Sequence, residues 1–563
     1  MRTSLAALLP LLILPALAAQ VTVTTPAETM RLQSSSVTAG SGFWNVTLVM
    51  GDDNNNSALG SSFRRWWHCQ INGLRTTGEQ LRVQVTNSGY TDIILPVWAL
   101  STDGGQTFGS YQRAPLSATP TVSGTTISFT LNTPAGVTHL RLAKYFPYGV
   151  ADRDRFLASL AGHPRVRLIQ SLGTSLQNRT LPMVELTDSS VPDAGKHRVW
   201  IHSGIHPAET TSYFVVEGLI QFLLGGSPEA EILLDRLILD IVPMANPDGV
   251  ALGNYRTNSQ SSNLENEWAS PYNSTQREII ALRTRIEQFM GTAAAPGGNP
   301  VQLLLNLHST HGFAYPILYQ HVANASFNLV SSRSGVVPSV NALEGQWIAQ
   351  LRSRSLFTSR GTTETSTNGA PTRPFVESMM HDRWSIDPLW TGAPNFQAQI
   401  MAITWEGTYG KGPDTVAWNT PADYRQVGLE MALAMGDYFH VLPGASVSNY
   451  GTSCGGPALN GVVAQNGTRL DLQVSGAPVT PFGFLTLGAT QLAVPLPPTQ
   501  CLLRTDLLAL LLLPVDNAGQ GAMSLPIPAG QSLRAQLQFL AGVLQGPDLL
   551  WSTSNGLTLD AGR

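Results

Sequence analysis

Charge is scarce in this 563-residue chain, and lysine is the rarest charged residue. Charged residues make up 12% of the sequence, three lysines stand against thirty arginines, and the formal net charge is -4. A chain without a net positive field has no general electrostatic attraction for nucleic acid. The composition therefore excludes a basic nucleic-acid-binding protein.

Long apolar runs are missing after the N-terminus, so no segment has the roughly 20 apolar residues that a membrane-spanning helix needs. Residues 1–19 are typical of a secretory signal peptide. Arg2 gives the charged start, Leu5–Leu17 the apolar segment, and Ala16-Leu17-Ala18 the small-residue cleavage pattern. We expect cleavage near Ala18 or Ala19 and a secreted or periplasmic protein without a membrane anchor.

Cysteine is also rare, since Cys69, Cys454 and Cys501 are the only three. Cys454 and Cys501 lie in one C-terminal segment, and an exported chain meets oxidising conditions that favour a disulfide between them. By loop-closure entropy such a bond stabilises a fold by about 4 kcal/mol. The apolar neighbours of Cys69 favour a buried structural thiol rather than a reactive one.

The sequence pattern predicts a multidomain protein with three folded regions. Residues 20–150 consist of short alternating runs broken by Gly, Asn, Ser and Asp, which predict an N-terminal β-sandwich. Residues 151–444 alternate apolar strands with amphipathic helices, which predict an α/β domain with a mixed, largely parallel sheet. Residues 449–563 return to short alternating runs and predict a C-terminal β-sandwich.

Three residues of the α/β region have the chemistry of zinc ligands. The motif HPAE places His206 and Glu209 three residues apart after a predicted strand, and His308 ends the apolar run VQLLLNLHS. A catalytic zinc site has three protein ligands and one open position, so we predict one Zn2+ ion at these three residues. Glu406 ends the similar strand QIMAITWEG, at the place for a general base.

Taken together, HPAE, PMANPDGVALGNYR, LNLHS and TWEG resemble the zinc carboxypeptidase family in order and spacing. FRRWWHCQINGL, AKYFPYGVADRDRFLASL and SLGTSLQNRTLPMVELT resemble the cytosolic carboxypeptidase subgroup. The resemblance extends from about Phe63 to Val441. It implies hydrolysis of a peptide or protein substrate by zinc-activated water, with Glu406 as the catalytic base. Arg256 matches the family arginine that stabilises the oxyanion and contacts the substrate.

The recognition residues depart from the family pattern. Where the family has Asn-Arg before a tryptophan, the segment NLENEW has Glu265 and Asn266. We place both at the substrate-binding position, although neither forms the bidentate pair that an arginine makes with a terminal carboxylate. Arg373 or Arg383 could substitute for that arginine. The region before Glu406 also lacks the family's active-site tyrosine.

Three functions remain open from the sequence. The first is a metallocarboxypeptidase-like hydrolase that cleaves peptide bonds. The second is a zinc amidase or deacylase whose substrate lacks a free C-terminal carboxylate. The third is a non-catalytic extracellular binding protein, in which two sandwiches flank an inactive domain. The three ligand types together with Glu406 favour an enzyme, because a binding scaffold needs neither a metal set nor a base.

Overall fold

The computed structural model describes residues 20–268, 271–310, 315–321, 336–365, 375–386, 400–442, 445–463, 469–478, 483–527 and 533–561. The chain divides into two compact units. One unit comprises residues 1–220, 238–344 and 360–428, and the other comprises residues 221–237, 345–359 and 429–563. The N-terminal strands therefore belong to the same unit as most of the α/β region.

The first unit begins with strands whose buried and exposed side chains alternate, as the sequence pattern predicts. Strands β1 to β10 are Thr22–Thr24, Ser34–Ala39, Phe43–Val49, His68–Asn72, Gln80–Thr86, Val97–Ser101, Gln112–Arg113, Thr121–Ser123, Thr126–Asn132 and His139–Ala143. They form two five-stranded sheets, with the orders β1-β4-β10-β6-β7 and β2-β3-β5-β9-β8. A short turn of 3-10 helix, Asp53–Asn55, follows β3.

The α/β region contributes strands β11 to β20, which are Val166–Thr174, Thr180–Leu186, His197–Ser203, Leu237–Val242, Gly291–Thr292, Ala295–Pro296, Val301–Ser309, Ile317–Gln320, Thr362–Thr365 and Met401–Gly407. Eight of them form one sheet of order β11-β12-β14-β13-β17-β20-β18-β19. The central neighbours β13, β17 and β20 are parallel, whereas β11, β12 and β14 pair antiparallel. Strands β18 and β19 also pair parallel, and β18 pairs antiparallel with β20, so the sheet is mixed.

Helices alternate with these strands. Helices α1 to α9 of the described residues are Val150–Leu160, Thr211–Leu223, Pro228–Arg236, Pro247–Leu252, Arg277–Met290, Pro338–Arg354, Leu356–Ser359, Val376–Met380 and Pro421–Tyr438. Helix α1 begins at Val150, and the Asp152 carboxylate in its first turn accepts a hydrogen bond from the Gly149 N–H. No helix within the described ranges is long and apolar enough to cross a membrane.

One apolar core packs helix α5 against the sheet. The helix buries Ile279, Leu282 and Ile286, which recur at helical spacing, against Trp200 of β13 and Leu304 of β17. Nearly every residue of β13 and β17 is buried, so both faces of these strands are covered. This core holds the carboxyl ends of the central strands in a fixed position.

The second unit is rich in strands at its C-terminal end. Strands β21 to β30 are Ala445–Tyr450, Ala458–Val463, Arg469–Ser475, Gly483–Gly488, Gln491–Pro495, Leu502–Thr505, Ala509–Leu513, Gly521–Pro526, Leu533–Gln545 and Asp548–Ala561. They form sheets of order β21-β30-β29-β24-β27, β22-β23-β28 and β25-β26. A disulfide joins Cys454 to Cys501, with 5.4 Å between their Cα atoms. Cys69, in the first unit, is a buried free thiol.

Candidate metal centre

His206 and Glu209 lie in the turn between β13 and α2, at the carboxyl edge of the sheet. The chain leaves β13 through Gly204, whose φ is +70°; a Cβ atom there would lie 2.4 Å from the ring of Tyr213. Glycine is therefore required at this point. The Glu209 N–H then donates to the His206 carbonyl at 3.2 Å, which closes the turn and places both side chains on one side.

His308, near the end of β17, brings the third ligand to the same point. Its Nδ1 lies 2.8 Å from Glu209 Oε2 and 3.0 Å from His206 Nδ1, and His206 Nδ1 lies 2.9 Å from Glu209 Oε1. The Ser309 N–H also donates to Glu209 Oε2 at 3.0 Å. All three side chains are at most 3% exposed. The sequence-predicted ligands thus form one compact buried cluster.

Each histidine has a second polar neighbour on the far side of its ring. His206 Nε2 lies 3.0 Å from Asn263 Oδ1, and His308 Nε2 lies 3.4 Å from Glu265 Oε2. Asn306 Nδ2 donates to Glu265 at 3.1 Å. Such outer partners orient metal-binding imidazoles and set their basicity. The segment NLENEW therefore supports both histidines.

Burial and neighbouring charges shift the pKa values of the three ligand side chains. Burial, together with the positive charge of Arg256, lowers the pKa of His206 to about 4. Burial alone would raise the pKa of Glu209, but contacts with His206 and His308 hold it well below its usual range. For His308 burial opposes protonation, yet the carboxylates of Glu265 and Glu209 raise its pKa well above the ordinary value. The carboxylate of Glu209 is therefore ionised and available to a cation.

The residue set fits a zinc ion. One ligand atom from each of His206, Glu209 and His308 lies within 4.8 Å of the other two. Two imidazoles and one carboxylate are a ligand set of catalytic zinc sites, which keep a fourth position for water. The two Nδ1 atoms face each other at 3.0 Å, an arrangement that a shared cation favours.

Glu406 and Arg256 lie beside this cluster. On the parallel strands β17 and β20, His308 and Glu406 are register partners, so both residues stand at the same level of the sheet edge. Arg256 lies in the loop after α4, close enough to lower the pKa of His206 by its charge. Its guanidinium carbon lies 5.6 Å from the ring centre of Phe63. Asp248, in the first turn of α4, pairs with Arg179 at 2.8 Å.

The predicted substrate-binding residues take different places. Glu265 is 1% exposed and contacts His308 and Asn306 instead of presenting its carboxylate to solvent, because NLENEW forms a 3-10 turn that folds beneath β17. Asn266, the next residue, is exposed. Arg383 pairs with Glu287 and contacts Tyr272, and Arg373 lies outside the described residues.

Sequence reasoning missed two contributors to the centre, Asn263 and Asn306. Asn306 stands two residues before His308 and therefore shares its face of the strand, a signal that strand periodicity carried. Asn263 begins the segment NLENEW, two residues before Glu265, but no local pattern indicates that it meets His206. Trp384, in the region before Glu406 that lacks the family's tyrosine, is buried in the core that packs α5 against the sheet. His202 accepts from Trp200 Nε1 at 3.0 Å and is not part of the cluster.

Comparison with known proteins identifies the domain. Residues 154–389 match the family model described as zinc carboxypeptidase. The chain is 40% identical to human cytosolic carboxypeptidase 6 over 134 residues, which are 23% of this chain and 27% of that protein. It is 30% identical to cytosolic carboxypeptidase 2 of Macaca fascicularis over 148 residues, which are 25% of this chain and 18% of that protein. The matched part of the chain thus spans less than a third of either relative.

Solved structures show the same fold. A metallo-carboxypeptidase from Burkholderia cenocepacia aligns with a TM-score of 0.58 and 18% identity, covering 75% of this chain and 99% of that one. A metallo-carboxypeptidase from Pseudomonas aeruginosa aligns with a TM-score of 0.57 and 18% identity, with the same coverage. The resemblance found in the motifs is confirmed. Residues 154–389 of this chain thus carry a zinc carboxypeptidase domain, and part of the chain is homologous to the cytosolic carboxypeptidases.

Proposed function

We propose that this protein is a zinc-dependent hydrolase of the metallocarboxypeptidase type, which cleaves peptide bonds. The register of His308 with Glu406 carries the proposal, because it sets a carboxylate beside the ligand cluster on the adjacent strand. A binding scaffold has no need of that carboxylate. The retained cluster therefore favours an enzyme over a non-catalytic binding protein.

The three ligands would hold zinc, which when bound lowers the pKa of water towards about 7 and polarises a carbonyl. Glu406 would take the proton of the attacking water and later deliver it to the leaving amine. Arg256 would face the charge that develops on the carbonyl oxygen, the role of a fixed cation. Asn263 and Glu265 would hold the two imidazoles in orientation.

Glu406→Gln tests the proposal because it removes the base while conserving shape. We expect kcat on a peptide library to fall by about 100- to 10,000-fold, with bound zinc unchanged. Glu287→Gln is the matched control and should retain activity, because Glu287 lies on α5 and pairs with Arg383. Full activity of Glu406→Gln would refute the role of the base.

A second candidate is a zinc amidase or deacylase whose substrate has no terminal carboxylate. The placement of Glu265 and Asn266 favours it: one is buried against His308 and the other is uncharged and exposed, so neither supplies a cationic clamp. C-terminally amidated peptides separate the two candidates. Cleavage restricted to free carboxyl termini supports the carboxypeptidase, and equal cleavage of amidated peptides supports the amidase.

We also propose export and a sandwich arrangement for the strand-rich regions. Residues 1–19, outside the described residues, have the pattern of a signal peptide. The Cys454–Cys501 disulfide is typical of proteins that mature in an oxidising compartment. The N-terminal strands form two five-stranded sheets, and the C-terminal strands form sheets of five, three and two strands, which supports a β-sandwich in each region. Mass spectrometry of the mature N-terminus after expression with a secretion pathway tests the cleavage near Ala18 or Ala19.

A further inference from the structure

The buried carboxylate of Asp53, in the N-terminal region, accepts hydrogen bonds from the loop that carries Arg256. Asp53 Oδ1 accepts the N–H of Tyr255 at 2.7 Å. Its Oδ2 accepts the N–H groups of Arg256 at 2.9 Å and Thr257 at 2.8 Å, and also the Thr257 hydroxyl at 3.0 Å. Asp53 is 1% exposed. Three successive backbone N–H groups therefore converge on a single acid.

The neighbouring residue extends the same attachment. Asn54, whose φ is +54°, accepts from Asn254 Nδ2 at 2.9 Å, and its own Nδ2 donates to the Asn258 carbonyl at 2.7 Å. The Asn54 N–H donates to Asn254 Oδ1 at 3.2 Å. Asp53 and Asn54 together hold the loop on both sides of Arg256. This contact joins residues about 200 positions apart in the sequence.

The anchored loop leads directly to the metal centre. The hydroxyl of Tyr255, the residue before Arg256, donates to Glu209 Oε1 at 3.4 Å. Later in the same segment, Asn263 Oδ1 lies 3.0 Å from His206 Nε2. Hydrogen bonds from N–H groups to a carboxylate are short and strong, so the bonds that Asp53 accepts fix the backbone at Arg256. An oxyanion-stabilising cation is effective only when it is already in place as charge develops. A carboxylate that fixes the backbone of such a cation thereby acts on the reaction from a distance.

We propose that Asp53 is a positioning residue for the hydrolytic reaction, which holds Arg256 in its working place at the metal centre. The proposal rests on the proposed function, in which Arg256 stabilises the oxyanion. The N-terminal strand region is then part of the catalytic apparatus and not an appended module. Asp53 touches neither zinc ligand nor substrate and acts through the backbone of the loop.

Asp53→Asn tests this in the full-length, zinc-loaded protein. An amide in place of the carboxylate turns one acceptor oxygen into a donor that faces N–H groups, so the loop loses at least part of its anchor. Asp52→Asn is the matched control, since Asp52 pairs with Arg64 at 2.6 Å through its side chain. Thr257→Val is a milder variant that removes only the hydroxyl contact with Asp53.

Amide hydrogen exchange of residues 255–257 is the first measurement. We expect faster exchange in Asp53→Asn, a smaller increase in Thr257→Val and no change in Asp52→Asn. Unchanged protection in Asp53→Asn overturns the proposal whatever the activity. If Asp53→Asn does not fold, Thr257→Val takes its place in the exchange measurement and in the kinetic cycle.

The second measurement is a kinetic cycle with Arg256→Ala. We expect Asp53→Asn to lower kcat by about 10- to 100-fold with KM within twofold, and to have less than a twofold effect in the Arg256→Ala background. An equal loss in both backgrounds overturns the proposal, because Asp53 would then act independently of Arg256. Activity that survives in Glu406→Gln refutes the proposed function instead, and leaves the exchange result valid.

Discussion

Glu265 Oε2 lies 3.4 Å from Nε2 of His308, on the side of the imidazole away from Glu209. This carboxylate orients the ring and increases its basicity as a ligand. We expect Glu265→Gln to weaken zinc binding by about 10- to 100-fold, measured by competition with a chelator of known affinity. Glu267→Gln is the control, because Glu267 bonds to Ser262 and Asn273. Equal zinc affinity in wild type and Glu265→Gln would contradict the role of Glu265.

Asn263 offers the opposite change at the other histidine. Its Oδ1 lies 3.0 Å from His206 Nε2 and also accepts the N–H of Glu265 at 3.2 Å, and an aspartate keeps both acceptor functions. Asn263→Asp adds a negative charge behind the imidazole and should make it a more basic ligand. We expect slower zinc loss to a chelator, by up to about tenfold. Faster loss would mean that the added charge is destabilised by nearby Glu265.

Asn266 is the position at which a carboxylate clamp can be restored. Its side chain is exposed, so an arginine there meets no packing obstacle. If the substrate has a free carboxyl terminus, Asn266→Arg should raise kcat/KM for such peptides by about 10- to 100-fold, the value of a charge-assisted bidentate contact. Peptides with an amidated terminus serve as the control and should gain nothing. No gain on either set would show that Asn266 does not face the substrate.

Much of the centre was predictable because the ligands lie near the end of a strand or in a strand–helix turn. His308 and Glu406 each end an apolar run, and parallel strands bring their carboxyl ends to one edge, so their proximity follows from the pattern. His206 and Glu209 carry a spacing with clear metal chemistry. The alternation of strands and helices around a mixed sheet also follows from apolar periodicity.

The surroundings of the ligands were less predictable, since they depend on tertiary contacts between distant segments. Nothing in the local sequence of Asp53 indicates that its carboxylate meets residues 255–257, because a turn rich in Asp and Asn is typical of an exposed loop. Likewise, the letters NLENEW do not show that Glu265 is directed to His308 and Asn266 to solvent. A one-residue difference in a 3-10 turn decides which side chain is buried.

The disulfide of the second unit gives a stability prediction. Cys454 and Cys501 close a loop of 47 residues, and the loss of this cross-link enlarges the entropy of the unfolded chain. We expect Cys454→Ser to lower the free energy of unfolding of this unit by about 4 kcal/mol in denaturant titrations. Zinc binding in the first unit should be unchanged. Equal stability of the mutant and the oxidised wild type would contradict the prediction.

A buried acid of the first unit predicts a pH effect. Burial raises the pKa of Asp240 from 3.8 to about 7. The charge of Arg198 opposes this rise, and the charge of Glu185, the register partner of Asp240, adds to it. Between these pH values the folded protein keeps a proton that the unfolded chain has released, so the free energy of unfolding falls as the pH rises. Asp240→Asn removes this dependence. Its stability relative to wild type should increase from pH 4 to pH 7 in urea titrations, and a constant difference would contradict the assignment.

The hydrogen bonds of Asn419 have a consequence for how this protein changes in evolution. Its Oδ1 accepts from the Tyr145 hydroxyl at 2.9 Å, and its Nδ2 donates to the Thr408 carbonyl, two residues after Glu406, at 2.9 Å. The family match covers residues 154–389, so Tyr145 lies before the matched segment and both Thr408 and Asn419 lie after it. Recombination that exchanged the residues after 389 between relatives, without those before 154, would separate Tyr145 from Asn419. The segments before and after the match are therefore expected to be inherited together, with compensating substitutions in both.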